Sequence, residues 1–231
     1  MYARFFKRII DFVLALCALL LLSPLLLVLT VVGAIIMRGN PFFLQPRPGK
    51  GERIFHIVKF RTMTNRRDKQ GRLLPDEKRL TKYGAFLRGT SLDELPELLN
   101  ILKGDMAIVG PRPLLVRDMV FMTGEERRRH TVRAGLTGLA QCNGRNHMSW
   151  EKRFAYDLAY IGRITFWGDL KIVLKTAVSV LRHEGIAEEG KATAEDLGDY
   201  LLESGKINKE TYDLRQKEAN AIIEKGNYKN E

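Results

Sequence analysis

Cysteine and histidine are scarce in this chain, and what they leave out narrows its chemistry. Two cysteines in 231 residues cannot build a disulfide framework. Cys17 lies in an apolar run and Cys142 in a polar loop, which fits a reducing cytoplasmic compartment. The four histidines, His56, His130, His147 and His183, show no metal-ligand spacing. No Ser/His/Asp or Cys/His arrangement marks a nucleophilic hydrolase. Internal repeats and low-complexity tracts are absent, which removes solenoids and flexible linkers. No nucleic-acid-binding motif or interleaved aromatic platform is recognisable either.

What is present begins with grease. Phe12 to Met37 is an uncharged, almost wholly apolar run of 26 residues, interrupted at Ser23-Pro24. A straight helix of that length is ~39 Å long, against a hydrocarbon core of ~30 Å. Pro24 removes a backbone donor and crowds the carbonyl of Leu20, so a bend is expected there. The arms Phe12–Leu22 and Leu25–Met37, at ~16 and ~20 Å, cannot span alone. Arg4, Lys7 and Arg8 precede the run, and Arg38, Arg47, Lys50 and Arg53 follow it. A spanning helix would place one basic cluster outside, against the positive-inside bias, whereas a re-entrant bend leaves both on the cytoplasmic face. The residues alone leave these two arrangements open. A cleaved signal peptide fits less well, since the run exceeds an h-region and no A-x-A-like site closes it.

The rest reads as one soluble, basic domain with an appendage. Up to Arg182 there are 31 Lys+Arg against 15 Asp+Glu, and from Glu184 onward 7 against 12. A basic body of this kind suits anionic partners such as lipid headgroups or phosphorylated substrates. Arg53–Met63 alternates as a strand and is expected to hairpin with Pro41–Gln45. Asn65–Arg79 is a charged loop, and Thr81–Arg88 a short helix. Ser91-Leu92-Asp93-Glu94 has the form of a capping box, which predicts a helix from Ser91–Asp93 to Gly104. Ala107–Val109 is a brief strand leading into Gly110-Pro111-Arg112-Pro113. Ala134–Gly138 and Asn143-Gly144-Arg145 are glycine-rich. Ser149–Arg163 and Thr165–Arg182 are amphipathic helices, suited either to the membrane interface or to the domain's own core. Arg127-Arg128-Arg129-His130 reads as a solvated or lipid-facing surface. Thr193–Glu203 and Asn208–Glu224 are two further acidic helices.

Asp93 and Glu94 are the sharpest chemical signal. Adjacent acids at a helix start are ordinarily plain caps. Here they lie in an anchored basic domain, with Lys59, Arg61, Arg88, Arg112 and Arg145 nearby in sequence. An ionised carboxylate can attack phosphorus once cations neutralise the phosphate oxygens. Arg112 sits between two prolines, and a rigidly presented guanidinium suits bidentate phosphate recognition. Asp157 lies on the first amphipathic helix, where bridging an arginine is its simplest use.

Taken together, these motifs resemble the small monotopic phosphoglycosyl transferases of bacteria. The resemblance runs from Lys7-Arg8-Ile9-Ile10-Asp11 to about Gly190. It includes Ser23-Pro24, Lys59-Phe60-Arg61-Thr62-Met63, Ser91 through Pro96, Gly104-Asp105-Met106, Gly110 through Pro113, Gly135-Leu136-Thr137-Gly138 and Asn143-Gly144-Arg145. Ala134 stands where many relatives have proline, and Cys142 where a small aliphatic is usual.

The resemblance implies an α+β fold: a mainly helical catalytic domain with a small β-hairpin, an N-terminal re-entrant membrane helix and interfacial amphipathic helices. It implies transfer of a sugar 1-phosphate from a UDP-sugar to polyprenyl phosphate through an aspartyl-phosphosugar intermediate, with UMP released and Mg²⁺ as cofactor. Asp93 would be the nucleophile and the metal ligand, and Glu94 its catalytic partner. Lys59, Arg88, Arg112, Arg145 and Asp157 would serve substrate and phosphate binding, and Ser23 and Pro24 the membrane bend. The expected location is the bacterial inner membrane, among its phospholipids, with the catalytic domain on the cytoplasmic face. Residues 1–38 are then the anchor, 39–190 the catalytic domain, and 191–231 an acidic helical tail expected to be dispensable for chemistry. That tail suits docking against a second copy in a homodimer, a partner, or the chain's own basic body. No nucleic-acid partner is expected. The alternative is a membrane-tethered basic module that binds lipid or nucleic acid without catalysis.

Overall fold

The computed structural model describes residues 1–144, 148–181 and 195–227. It is a mixed α+β structure in which helices predominate around two small sheets. A short π-helical turn leads into α1 (Lys7–Met37). Strands β1 (Phe42–Pro48) and β2 (Ile54–Phe60) form an antiparallel hairpin, with Phe42 opposite Phe60 and Pro48 opposite Ile54. Single-turn α2 (Asp76–Arg79) closes the charged loop before α3 (Lys82–Thr90), whose N-cap Thr81 accepts from the Gly84 amide at 2.9 Å. Helix α4 (Glu97–Lys103) starts after Pro96, which lacks only an amide that a first turn leaves unpaired anyway. It ends at Gly104, at φ 97°.

Strand β3 (Met106–Val109) follows, then single-turn α5 (Val116–Met119) and α6 (Gly124–Arg127). Strand β4 (Ala134–Thr137) pairs with β3 in parallel. Gly135 permits this pairing, because a Cβ there would lie 2.1 Å from the Gly110 nitrogen. Single-turn α7 (Gln141–Gly144) precedes the longer α8 (Trp150–Gly162) and α9 (Phe166–Leu181). The last helices are α10 (Leu197–Glu203) and α11 (Lys209–Asn227).

The capping box expected at Ser91 does not form. Ser91 closes α3 in a left-handed conformation, at φ 57°. Leu92–Glu94 is a lone 3₁₀ turn, and α4 begins only at Glu97, after Leu95 and Pro96. The reason is electrostatic: two cations capture the Glu94 side chain, and a charge-assisted bond outcompetes a neutral backbone amide.

Helix α1 is continuous through Pro24. Ser23 Oγ donates to the Leu20 carbonyl at 2.8 Å, the carbonyl that proline cannot pair. One stripe of α1 is buried at Asp11, Ala15, Leu29 and Gly33, while Leu20, Leu21, Leu27, Val28 and Ile35 are exposed. This helix is long and apolar enough to cross a membrane. Both ends of its stripe grip the same body. Near the start, Arg8 donates to the Ile101 and Leu102 carbonyls at 2.5 and 2.8 Å, capping α4, and Asp11 accepts from the Ile108 amide at 3.2 Å. Near the end, the Tyr83 hydroxyl donates to the Leu29 carbonyl at 2.7 Å, and Gly33 lies against Pro41 and Tyr83.

The two amphipathic helices part ways. Helix α8 buries Trp150, Phe154, Asp157 and Tyr160 in the core. Helix α9 buries Asp169 and Ile172 and leaves Phe166, Trp167, Leu170, Leu174 and Val178 exposed. Asp169 ties three elements together, accepting from Tyr2, Lys7 and Tyr160 at 2.7–2.9 Å. The Arg127–His130 run is not a uniformly solvated surface: Arg129 is only 2% exposed and His130 6%. The acidic tail shares the core as well. Leu197 is buried with Leu114, Met122, Trp150 and Phe154, and Ala219 with Val116, Met119 and Val120.

Candidate active site

Period-2 alternation on β2 turns Lys59 to the same face as Phe55 and Ile57. That face looks onto the 3₁₀ turn and the start of α4. Lys59 Nζ donates to Glu94 Oε1 at 2.7 Å and lies 3.0 Å from Glu97 Oε1. The second contact is poorly angled for a hydrogen bond, which makes it an ion pair only. Arg112 Nη2 donates to the same Glu94 oxygen at 2.5 Å. Burial alone would raise the Glu94 carboxyl, but Arg112 and Lys59 outweigh it and hold the group well below the usual carboxylate range. Burial likewise opposes the Lys59 charge, and Glu94 and Glu97 together raise the ammonium above its ordinary value.

Asp93, one residue earlier, is the opposite case. It is half-buried, and no hydrogen bond or ion pair engages its carboxylate among the described residues. Burial, then repulsion from Glu94, push it up to about 6, against the pull of Lys59, Arg112 and Arg88. Glu97 is only 2% exposed, and burial pushes it up to about 7. The site therefore holds one fixed acid, one uncommitted acid and one buried acid behind them.

Arg112 sits on a loop whose backbone is held at successive residues. The Gly135 amide donates to the Pro111 carbonyl at 2.9 Å. Arg129 Nη2 donates to the Arg112 carbonyl at 2.7 Å, and Arg47 Nη1 to the Pro113 carbonyl at 3.0 Å. Arg129 is fixed in turn by Asp157, whose Oδ2 accepts from Nε at 2.9 Å and from Nη2 at 2.7 Å. Burial raises the Asp157 carboxyl and Arg129 opposes that rise. Burial, then repulsion from Arg112, bring Arg47 down to about 10.

The structure thus gathers Lys59, Arg88, Asp93, Glu94 and Arg112. Arg88 lies in the last turn of α3, and its Nε donates to Thr62 Oγ1 at 3.1 Å. Asp157 lies one layer back, bonded to Arg129 rather than facing the acids. Arg145 and His147, like His183 and the domain boundary at 190, lie outside the described residues. Glu97, Arg47 and Arg129 went unrecognised in the sequence as parts of the site. One signal for Arg47 was legible: Pro46-Arg47-Pro48 duplicates Pro111-Arg112-Pro113, and the two segments meet. Arg129 gave none, because an arginine run looks solvated until α8 and the Arg112 loop enclose it.

An acid held between fixed cations, with a second acid free beside it, suits group transfer, and α1 with the open apolar face of α9 suits a membrane surface. Residues 2–183 match the bacterial sugar transferase family, and the chain belongs to that family. It is similar to the uncharacterised sugar transferase EpsL of Bacillus subtilis (strain 168), 47% identical over 190 residues, covering 82% of this chain and 94% of that one. The exopolysaccharide production protein ExoY of Rhizobium meliloti (strain 1021) is 36% identical over 196 residues, 78% of this chain and 87% of that one. A UDP-glucose:undecaprenyl-phosphate glucose-1-phosphate transferase of Xanthomonas campestris pv. campestris is 40% identical over 187 residues, 76% of this chain but 38% of that longer protein.

Proposed function

We propose that this protein transfers a sugar 1-phosphate from a UDP-sugar to polyprenyl (undecaprenyl) phosphate, through a covalent aspartyl-phosphosugar and with release of UMP. The observation that carries this reading is the contrast within the acid pair: Glu94 is pinned by Lys59 and Arg112, while Asp93 is uncommitted. The printed names of relatives from Xanthomonas, Klebsiella and Salmonella support the substrate class.

In the first step an Asp93 oxygen bonds to the phosphorus that carries the sugar. The bond from that phosphorus to the bridging oxygen breaks, and UMP leaves with the electron pair. In the second step an oxygen of polyprenyl phosphate bonds to the same phosphorus and the carboxylate departs. Splitting one transfer between two bulky anions into two displacements is what a covalent nucleophile offers. Arg112 commits one of its five donors to Glu94, which leaves a planar fork for phosphate oxygens. Lys59 and Arg88 flank it. Arg145, which follows α7 in sequence, is proposed as a further phosphate-binding cation. Glu94 keeps Lys59 and Arg112 in place between turnovers.

Mg²⁺ fits this donor set. Among the described residues no three acidic, histidine or cysteine side chains converge on a metal. Asp93 with substrate phosphate oxygens and water would hold the ion, which is how Mg²⁺ commonly binds. Its contribution would be to neutralise charge on the diphosphate. EDTA is expected to stop UMP release from a UDP-sugar and added Mg²⁺ to restore it. Full turnover in chelator would assign the whole neutralisation to Lys59, Arg88 and Arg112. The rival reading, a tethered lipid- or nucleic-acid-binding module, predicts no UMP release from any UDP-sugar.

The proposed location is the cytoplasmic face of the bacterial inner membrane, with α1 entering and leaving on that face at a bend marked by Ser23 and Pro24. Support comes from the grip of one body on both ends of α1, the basic flanks, and the apolar face of α9. Single cysteines at Tyr2 and Gly51, in a Cys17→Ala, Cys142→Ala background, should both be shielded from an impermeant thiol reagent in intact cells. Labelling at Tyr2 alone would establish a spanning helix. Replacing Ser23 and Pro24 with leucine should shift α1 toward spanning, since it removes the helix-weakening pair.

A further inference from the structure

The family match ends at residue 183, yet the helices beyond it pack behind the loop that presents Arg112. We propose that α10 and α11 position Arg112, acting through the buried carboxylate of Asp118. The proposal rests on the reading above, in which Arg112 meets a substrate phosphate.

Asp118 is 2% exposed and uses both oxygens. Oδ2 accepts the Leu115 amide at 2.9 Å, three residues from Arg112, and Oδ1 accepts the Leu197 amide at 3.0 Å, at the first residue of α10. One carboxylate therefore joins the Arg112 loop to the tail. Apolar contacts repeat the connection. Leu114 and Leu197 share a buried cluster, and Ala219 of α11 packs on Val116, Met119 and Val120. Arg117 forms an ion pair with Asp196, the N-cap of α10. Gly198 lies so close to Phe121 that a Cβ would approach its ring to 2.6 Å.

A four-residue helix such as α5 has no stability of its own, so its position is set by what packs on it. On this flank that is the tail. A buried carboxylate deprived of an amide must move or find another donor, and either event disturbs Leu115. The N-terminal side of the loop is held by Gly135 and Arg129 whatever the tail does. Its C-terminal side depends on Arg47 and Asp118. Displacing a reacting or orienting group by an ångström costs rate steeply, which makes a remote hydrogen bond kinetically visible. The tail, expected from sequence to be dispensable, is on this reading part of the catalytic frame.

The test uses the full chain. Asp118→Asn keeps one accepting oxygen and so forfeits one of the two bonds, Leu197→Ala removes packing but keeps the amide, and Leu197→Pro removes the amide at a helix position that accepts proline. Asp118→Asn and Leu197→Pro should lower kcat for UMP release on the order of tenfold, with KM for the UDP-sugar within about twofold. Leu197→Ala should fall less. In an Arg112→Lys background the same changes should cost little more, because the path to the phosphate is already lost. Amide exchange across residues 114–121 should rise in step with the loss of kcat. Additive losses in the Arg112→Lys background, or unchanged exchange across 114–121, would overturn the proposal. A wild type that releases no UMP would instead remove the functional reading, and the exchange measurement would still decide whether the tail holds the loop.

Discussion

Asp93→Asn is expected to lower turnover by at least about a thousandfold while the protein stays folded and membrane-bound. Asparagine cannot serve as the nucleophile, and among the described residues of the site no other carboxylate is free to replace it: Glu94 is held by Lys59 and Arg112, and Glu97 is buried. Intact-mass analysis after incubation with UDP-sugar alone should show a phosphosugar adduct on the wild type and none on the variant. A normal adduct on Asp93→Asn would move the nucleophile elsewhere. The pH dependence has a defined sign. Attack needs the ionised form, and Asp93 is pushed up to about 6 in the metal-free protein, so adduct formation should fall on the acid side, at a lower pH once Mg²⁺ is bound beside it. Stability should move the other way. Between the unfolded value of ~3.9 and the folded value of about 6, the native state binds more protons than the unfolded chain. Stability from this group therefore falls as pH rises through that window, and ionised Asp93 is a net cost at neutral pH. The Tm of Asp93→Asn at pH 7 should equal or exceed that of the wild type.

Asp157→Asn should produce the largest stability loss. It leaves the Arg129 guanidinium, 1% exposed, without its counter-charge. Breaking a buried pair in this way typically costs ~3–5 kcal/mol, or a Tm drop of roughly 6–20 °C for a chain of this size. Replacing both partners with apolar groups, Arg129→Met with Asp157→Leu, should recover most of that loss, because buried pairs contribute little net stability over well-packed hydrophobes. Activity should not recover with it. Arg129 also donates to the Arg112 carbonyl, and methionine cannot. Thermal melts in detergent and UMP release on the same preparations separate the two effects. A double variant that regains full activity would show that the Arg129 bond does not position the loop.

Much of this architecture is legible from local pattern. The hairpin follows from alternation in Arg53–Met63, α8 and α9 from their helical spacing, and the end of α4 from Gly104, which takes the φ of 97° that favours glycine. Asp93 and Glu94 stand out as adjacent acids, and Arg112 as an arginine between prolines. Each of these signals is carried by residues within one or two turns of one another, where backbone geometry and side-chain period act directly.

What escaped the sequence depends on distant partners. The β3–β4 pairing joins residues far apart in the chain, and Gly135 reads as loop glycine until Gly110 is seen against it. Ser91 and Glu94 carry the letters of a capping box, but Lys59 and Arg112 arrive from other elements and take the glutamate. Arg129 looks like part of a solvated basic run until Asp157 and the Arg112 carbonyl enclose it. By itself the sequence determined the apolar N-terminal helix, the longer helices, the hairpin and which adjacent acids are the candidates for chemistry. Tertiary structure alone decided which acid is pinned and which is free, that the apolar face of α9 stays open while that of α8 closes, and that the tail joins the core. The physical reason is that charge pairing and burial are properties of what lies across the fold, and long-range contacts leave no periodic trace in the residues that make them.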